Sequence, residues 1–153
     1  MTKQSVWDNS FIEVAKTLAK LSHCMSRKVC ALAVKNNRII CTGINGTVKG
    51  ALNCDDLFAY VDETNREQHH KWSLVNEVHA EANLVAEANK NGISLEGSTI
   101  YLTLSPCNTC CLLLASVGVK RIMYLEKYDK CDLQTGFNIL KNLNIEVEQL
   151  TND

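Results

Sequence analysis

The sequence predicts an α/β fold on a five-stranded mixed sheet flanked by helices. Three observations lead there. From Thr99 onward the chain alternates strand, helix, strand, helix, strand, an order that favours parallel strands with right-handed crossovers. Ahead of them lie two strand-like runs, Val29 to Val34 and Arg38 to Thr42, which Lys35-Asn36-Asn37 can join as an antiparallel hairpin. The length of 153 residues, 46% of them apolar and 22% charged, suits one domain over residues 1–153 and excludes intrinsic disorder. Such a chain buries enough surface to need no staples.

The elements follow in order. Ser5 to His23 sets Phe11, Val14, Ala15, Leu18 and Leu21 at helical spacing, an amphipathic opening helix. Gly43 to Phe58 has three glycines and few apolar anchors, which predicts a long functional loop. Asp62 to Lys71 mixes charges of both signs with the pair His69-His70 and reads as solvated surface. Val78 to Asn89 is alanine-rich and helical, with Asn91-Gly92 as its stop. Thr99 to Leu104 is a strand, and Cys107 to Val117 an almost wholly apolar helix that should be buried. Arg121 to Leu125 (strand), Leu133 to Leu143 (helix) and Ile145 to Leu150 (strand) complete the chain.

Composition narrows the function classes. A formal charge of −1 excludes a broad basic surface for nucleic acid, while leaving room for a local basic pocket. The longest apolar run, Cys110 to Ala115, is too short to span a bilayer, and MTKQSVWDNS has no apolar signal-peptide core. A soluble, cytoplasmic protein is expected. Eight cysteines are many for such a chain. In a reducing compartment, thiols grouped with histidines point to metal more than to disulfides.

The chemistry lies in two short pieces, His79-Ala80-Glu81 and Ser105-Pro106-Cys107-Asn108-Thr109-Cys110. Alone, the CxxC fits a redox pair or half of a structural zinc site. Together the pieces offer one imidazole and two thiolates, three zinc ligands that leave the fourth tetrahedral position open for water. Cys107 and Cys110 lie one helical turn apart on a common face, Pro106 suits the first helical position, and the helix dipole favours thiolates there. Cys111 is rotated by about 100° and reads as core. His79 and Glu81 share a site only if His79 opens its helix. H-x-E with P-C-x-x-C is the signature of zinc-dependent nucleobase deaminases, in which the glutamate shuttles protons without binding the metal.

Beyond those motifs the chain resembles deoxycytidylate (dCMP) deaminases, especially those of T-even phages. The resembling pieces are Ser22-His23-Cys24, Lys28-Val29, Thr42-Gly43-Ile44-Asn45-Gly46, Asn53-Cys54-Asp55, Trp72-Ser73, Asn76 to Glu81, Leu104 to Cys110 and Tyr128-Asp129-Lys130. The resemblance implies a three-layer cytidine-deaminase-like fold and hydrolysis of dCMP to dUMP and ammonia, a source of dUMP for thymidylate synthesis. It implies a catalytic zinc on His79, Cys107 and Cys110, with Glu81 as proton carrier. The Ala80 N–H should bind the base O2, the Ser105 carbonyl the amino group, and Asn45 the sugar hydroxyl. Tyr128 should close over the base, unless it merely packs. Ser26 and Lys28, beside Arg27, should hold the phosphate; a solvated basic turn is the alternative.

The resemblance also implies a second, structural zinc on Cys24, Cys54, His69 and Glu77, with His70 a neighbouring competitor for His69. Gly43, Ile44, Asn45 and Gly46 match the family's effector loop, which binds dCTP as activator and dTTP as inhibitor, with Mg2+ accompanying the triphosphate. Here Ile44 replaces the usual tyrosine and Val48 the proline that usually follows. A homo-oligomer, a hexamer in this family, is expected. Nucleic acid and membrane are not expected partners. Deamination of another cytosine nucleotide or nucleoside (dCTP, CMP, cytidine), or a non-catalytic zinc module, remains the alternative.

Overall fold

The computed structural model describes residues 1–151; the last two residues of the expected domain lie outside it. Helix α1 (Lys3–Ala19) opens the chain, capped by the Thr2 hydroxyl, which accepts from the Ser5 N–H. Strands β1 (Cys30–Lys35) and β2 (Arg38–Ile44) form the expected antiparallel hairpin. Its turn residues Asn36 and Asn37 both have positive φ, 52° and 57°, the left-handed backbone that asparagine tolerates and a two-residue hairpin requires.

Strand β3 (Gly46–Thr47), helices α2 (Cys54–Leu57) and α3 (Arg66–Asn76), and strand β4 (Glu77–Val78) come next. Helix α4 (Ala80–Lys90) then precedes β5 (Thr99–Leu104), α5 (Asn108–Ser116), β6 (Arg121–Glu126), α6 (Gln134–Asn142) and β7 (Glu146–Gln149). The main sheet runs β2-β1-β5-β6-β7, with β2/β1 and β1/β5 antiparallel and β5/β6/β7 parallel. The mixed five-stranded sheet is therefore as the sequence predicts.

Period-two alternation sorts the strand side chains into two cores. Cys30, Leu32, Val34, Tyr101 and Met123 face α1, packing on Phe11, Ile12, Ala15 and Ala19. Ala31, Ala33, Ile100, Leu102, Ile122 and Tyr124 face the other way, onto Leu84, Ala88, Leu114 and Leu140 of α4, α5 and α6. Small residues in β1 let α4 lie close to the sheet. No helix among the described residues is long and apolar enough to cross a membrane.

Several expectations need correction. The polar stretch Asp62 to Lys71 is not simply solvated: from Arg66 it is helix α3, and His69 on it is 5% exposed. The segment Gly43 to Phe58 is less of a loop than expected, because Gly43 and Ile44 end β2 and two further short elements lie within it. Helix α4 begins at Ala80, not Val78, since Glu77 and Val78 pair with Thr47 and Gly46 in a separate two-stranded sheet. The helix Cys107 to Val117 is apolar but not wholly buried, with Leu112 49% exposed.

Candidate active site and metal centres

Both halves of the catalytic motif are helix starts. His79 is the N-cap of α4, with extended backbone (φ −63°, ψ 151°), and its carbonyl accepts the first helical bond, from Asn83. Cys107 is likewise the N-cap of α5. Pro106 therefore stands ahead of the cap instead of at the first helical position, because Cys107 keeps extended backbone while its carbonyl accepts from the Cys111 N–H. Capping explains how His79 and Glu81 share a site although they stand two apart. The imidazole leaves the helix before the helical rotation starts, and Glu81 sits in its first turn.

The three ligand candidates converge. The His79 Nδ1 lies 3.7 Å from the Cys107 Sγ and 3.5 Å from the Cys110 Sγ. Donors around a tetrahedral zinc stand roughly 3.4–3.8 Å apart, so the trio fits that ion. His79 is exposed, Cys107 half-buried and Cys110 buried, so the centre opens on one side. A hydrogen bond from the Cys110 thiol, followed by one from His79, brings Cys107 down to about 4; the same bond pushes Cys110 up. His79 is raised chiefly by its bond to Cys107. Glu81 is 4% exposed, and desolvation raises its carboxyl above the ordinary range. Cys111 is core, as expected.

A second cluster lies apart from the first. Cys24, Cys54, His69 and Glu77 bring one ligand atom each within 4.8 Å of one another. The His69 Nε2 is 3.3 Å from the Cys54 Sγ, 4.0 Å from the Cys24 Sγ and 3.6 Å from the Glu77 Oε1, and Cys24 to Glu77 is 3.4 Å. Burial pushes the Cys24 thiol up to about 11. Among the described residues the buried Glu77 Oε2 has no hydrogen-bond partner, so this carboxylate has an oxygen free to serve a cation. Phe58 and Trp72 wall the cluster, their rings 5.1 and 6.1 Å from that of His69.

The remaining candidates lie around the strand ends. Ala80 is buried at the first position of α4, and Ser105 is buried just past β5, its hydroxyl accepting from the Tyr128 N–H at 2.7 Å. Tyr128 lies under the Arg27 guanidinium, 4.9 Å from its ring centroid. The Asn45 side chain clamps the approach to β1: its Oδ1 accepts from the Val29 N–H and its Nδ2 donates to the Arg27 carbonyl. Lys28 donates to the Ser22 carbonyl at 2.7 Å. Ser26 and Lys28 line a cavity of about 420 Å³ that also takes in Arg66 and Lys130. Sequence reasoning missed Arg66. The available signal was the spacing of Arg66, His69 and Trp72, three apart along one helix face.

Gly43 and Ile44 support the site from below. A Cβ on Gly43 would overlap the Ala80 carbonyl oxygen and the Leu84 amide, and the Ile44 carbonyl accepts from the Asn83 side chain at 2.6 Å. Only glycine lets β2 pass this close to the head of α4.

A family model described as the cytidine and deoxycytidylate deaminase zinc-binding region matches residues 5–126. The chain belongs to the cytidine and deoxycytidylate deaminase family. Within it, this deaminase is 36% identical over 171 residues to the deoxycytidylate deaminase of Enterobacteria phage T2, covering 91% of this chain and 89% of the relative. The phage T4 deoxycytidylate deaminase is 35% identical over 91% and 87% of the two chains. Among solved structures, the dCMP deaminase from the cyanophage S-TIM5 in complex with dCMP and dUMP matches with a TM-score of 0.76 and 29% identity, over 98% of this chain and 99% of the other. This deaminase thus has the cytidine-deaminase-like fold that its motifs imply.

Proposed function

We propose that this deaminase hydrolyses dCMP to dUMP and ammonia. The observation that carries the reading is Glu81, a buried non-ligand carboxyl in the first turn of the helix that His79 caps, beside the two thiols that complete the trio. His79, Cys107 and Cys110 would hold a catalytic zinc. Bound there, zinc supplies the Lewis acidity that ionises water near neutral pH. Glu81 would take one proton from the attacking water and give it to N3 of the cytosine, then take the second from the hydroxyl left on C4 and give it to the departing amine. Its desolvated setting favours a carboxyl able to hold the proton between those steps.

The Ala80 N–H, at the head of α4, would bind the base O2, and the Ser105 carbonyl the amino group. Asn45 would reach the sugar hydroxyl with the amide hydrogen not given to Arg27. Tyr128 would cover the base, while Ser26 and Lys28 face the phosphate. Cys24, Cys54, His69 and Glu77 would hold a second, structural zinc, a reading that the unpartnered Glu77 oxygen supports. The chain acts as one domain in the cytoplasm, where its product feeds thymidylate synthesis.

A homo-oligomer, a hexamer by family likeness, would cover the exposed Val48, Leu52, Leu57, Tyr60, Leu74 and Val75. The segment Gly43 to Gly46 would answer dCTP and dTTP with Mg2+, through Asn45 and Gly46 more than through Gly43, which is packed against α4.

The test is ammonia release from dCMP, CMP, dCTP, cytidine and single-stranded DNA. dCMP should be turned over fastest. Glu81→Gln should retain its zinc and lose at least about a thousandfold in turnover, since metal binding and proton transfer rest on different residues. Near wild-type turnover in that variant would overturn the mechanism.

A further inference from the structure

Asn108 stands between Cys107 and Cys110, yet its side chain serves a different helix. Its Oδ1 accepts from the Gly136 N–H at 2.8 Å. Gly136 is the third residue of α6, so the bond satisfies one of the amide hydrogens that a helix start leaves without a partner. The Asp132 Oδ1 takes another, from the Gln134 N–H at 2.9 Å. Gly136 itself runs against helix propensity, in which only proline ranks lower, and its φ is not positive. A Cβ there would stand 2.6 Å from the Asn108 Oδ1 and 2.9 Å from the Cys111 Sγ. The bare backbone is what lets α6 come close enough to the Cys107 to Cys110 turn to be capped from it.

The other end of the same connection is fastened too. The Ser105 N–H donates to the Glu126 carbonyl at 2.8 Å, and the Ser105 hydroxyl accepts from the Tyr128 N–H at 2.7 Å. The connection from β6 to α6 is therefore held at both ends by Ser105 and Asn108, within the short stretch that carries Cys107 and Cys110. Between the fasteners little packing helps: of Lys127 to Leu133 only Leu133 is buried. With so few apolar contacts, hydrogen bonds decide how readily such a segment opens. Tyr128 lies within it, its ring under the Arg27 guanidinium.

We propose that Asn108 is a positioning residue that, with the Ser105 hydroxyl, latches the β6–α6 connection to the turn carrying Cys107 and Cys110 and so sets where Tyr128 stands beside the reacting centre. Its effect on turnover rests on the dCMP reading above. The latch itself stands on the bonds to Gly136 and Tyr128 and on the missing Cβ of Gly136.

The experiment is hydrogen exchange of the zinc-loaded protein over residues 124–133, a stretch that leaves Gly136 out, beside steady-state kinetics with dCMP. Asn108→Ala should keep its zinc, exchange about 3- to 10-fold faster at Tyr128 and its neighbours, and raise KM for dCMP more than it lowers kcat. Asn108→Asp keeps the acceptor and suits both helix starts, so it should restore wild-type exchange and KM. Gly136→Ala reads the latch from the other side. Its methyl displaces the Asn108 amide, and it should show the same faster exchange even if Asn108→Ala fails to fold. Wild-type exchange over 124–133 in folded Asn108→Ala or Gly136→Ala, or no recovery in Asn108→Asp, would overturn the proposal. A wild type that deaminates no cytosine nucleotide, with the exchange pattern as expected, would instead remove the reading of function and leave the latch standing.

Discussion

Asp8 on α1 is buried, and its charge is met from three sides. The Arg121 guanidinium grips both carboxylate oxygens at 2.9 Å, while the Tyr101 hydroxyl and the Gln4 amide donate to Oδ1 at 2.6 and 2.9 Å. Burial alone would raise this carboxyl, but the bonds from Arg121, Tyr101 and Gln4 outweigh it and hold it below the ordinary range. The sign of the pH effect follows. A carboxyl whose folded value is depressed contributes stability that is complete above the unfolded value, about 3.9, and is lost as pH falls through the folded value. Thermal melts across pH 2 to 7 should therefore show a decline below about pH 4 that is shallower in Asp8→Asn. At pH 7, Asp8→Ala should cost about 2–4 kcal/mol. The cost is held down by Glu146 and Glu148, which stand 3.6 and 3.8 Å from the same guanidinium. An unchanged midpoint would show that the pair contributes nothing.

At the scale of elements, the head of α4 does the positioning. It caps on His79, buries Glu81 in its first turn, and is held against β2 by the bare Gly43 backbone and the Asn83 bond to Ile44. A methyl at Gly43 would push the two apart. Gly43→Ala should lower the denaturation midpoint by an amount equivalent to about 1–3 kcal/mol, and should loosen zinc at the catalytic centre, measured as faster release to a chelator. Retention of both stability and zinc would mean that β2 and α4 can separate without moving His79. Helix α3 is the opposite case. Its sequence is polar, and its inner face is held by His69 and Trp72 against Phe58, Cys24 and Cys54.

For the molecule as a whole, the two candidate metal centres differ in kind. The first opens to one side and is built on helix caps that the sheet positions. The second gathers four candidate ligands and draws the start of β1's approach, α2, α3 and β4 together in a region of sparse apolar packing. A metal bound there would contribute its binding energy to folding. Protein purified without chelator should carry two zincs per chain, and Cys54→Ser should carry one, melt at lower temperature and bind dUMP more weakly as the Gly43 to Phe58 segment that carries Asn45 loosens. One zinc per wild-type chain would remove the second centre. Light scattering at micromolar concentration should show an oligomer; a monomer would remove the hexamer and leave the exposed apolar residues of the 48–75 segment without a partner.

The candidate catalytic set was legible in the chain because each of its two pieces is local. Cys107 and Cys110 are one turn apart whatever the rest of the fold does, and the alternation of strand and helix after Thr99 is enough to order the parallel half of the sheet. Asn36-Asn37 announces its own turn. The second cluster could be named only by family likeness, since its four ligands come from four separate segments and no periodicity joins them. What tertiary structure alone decided is the company that distant residues keep. It turned a polar stretch into helix α3 by burying His69, set Arg66 and Lys130 into one cavity, and brought Asp8 to Arg121. Those outcomes depend on desolvation and on charges meeting across long sequence separations, and a one-dimensional pattern carries neither.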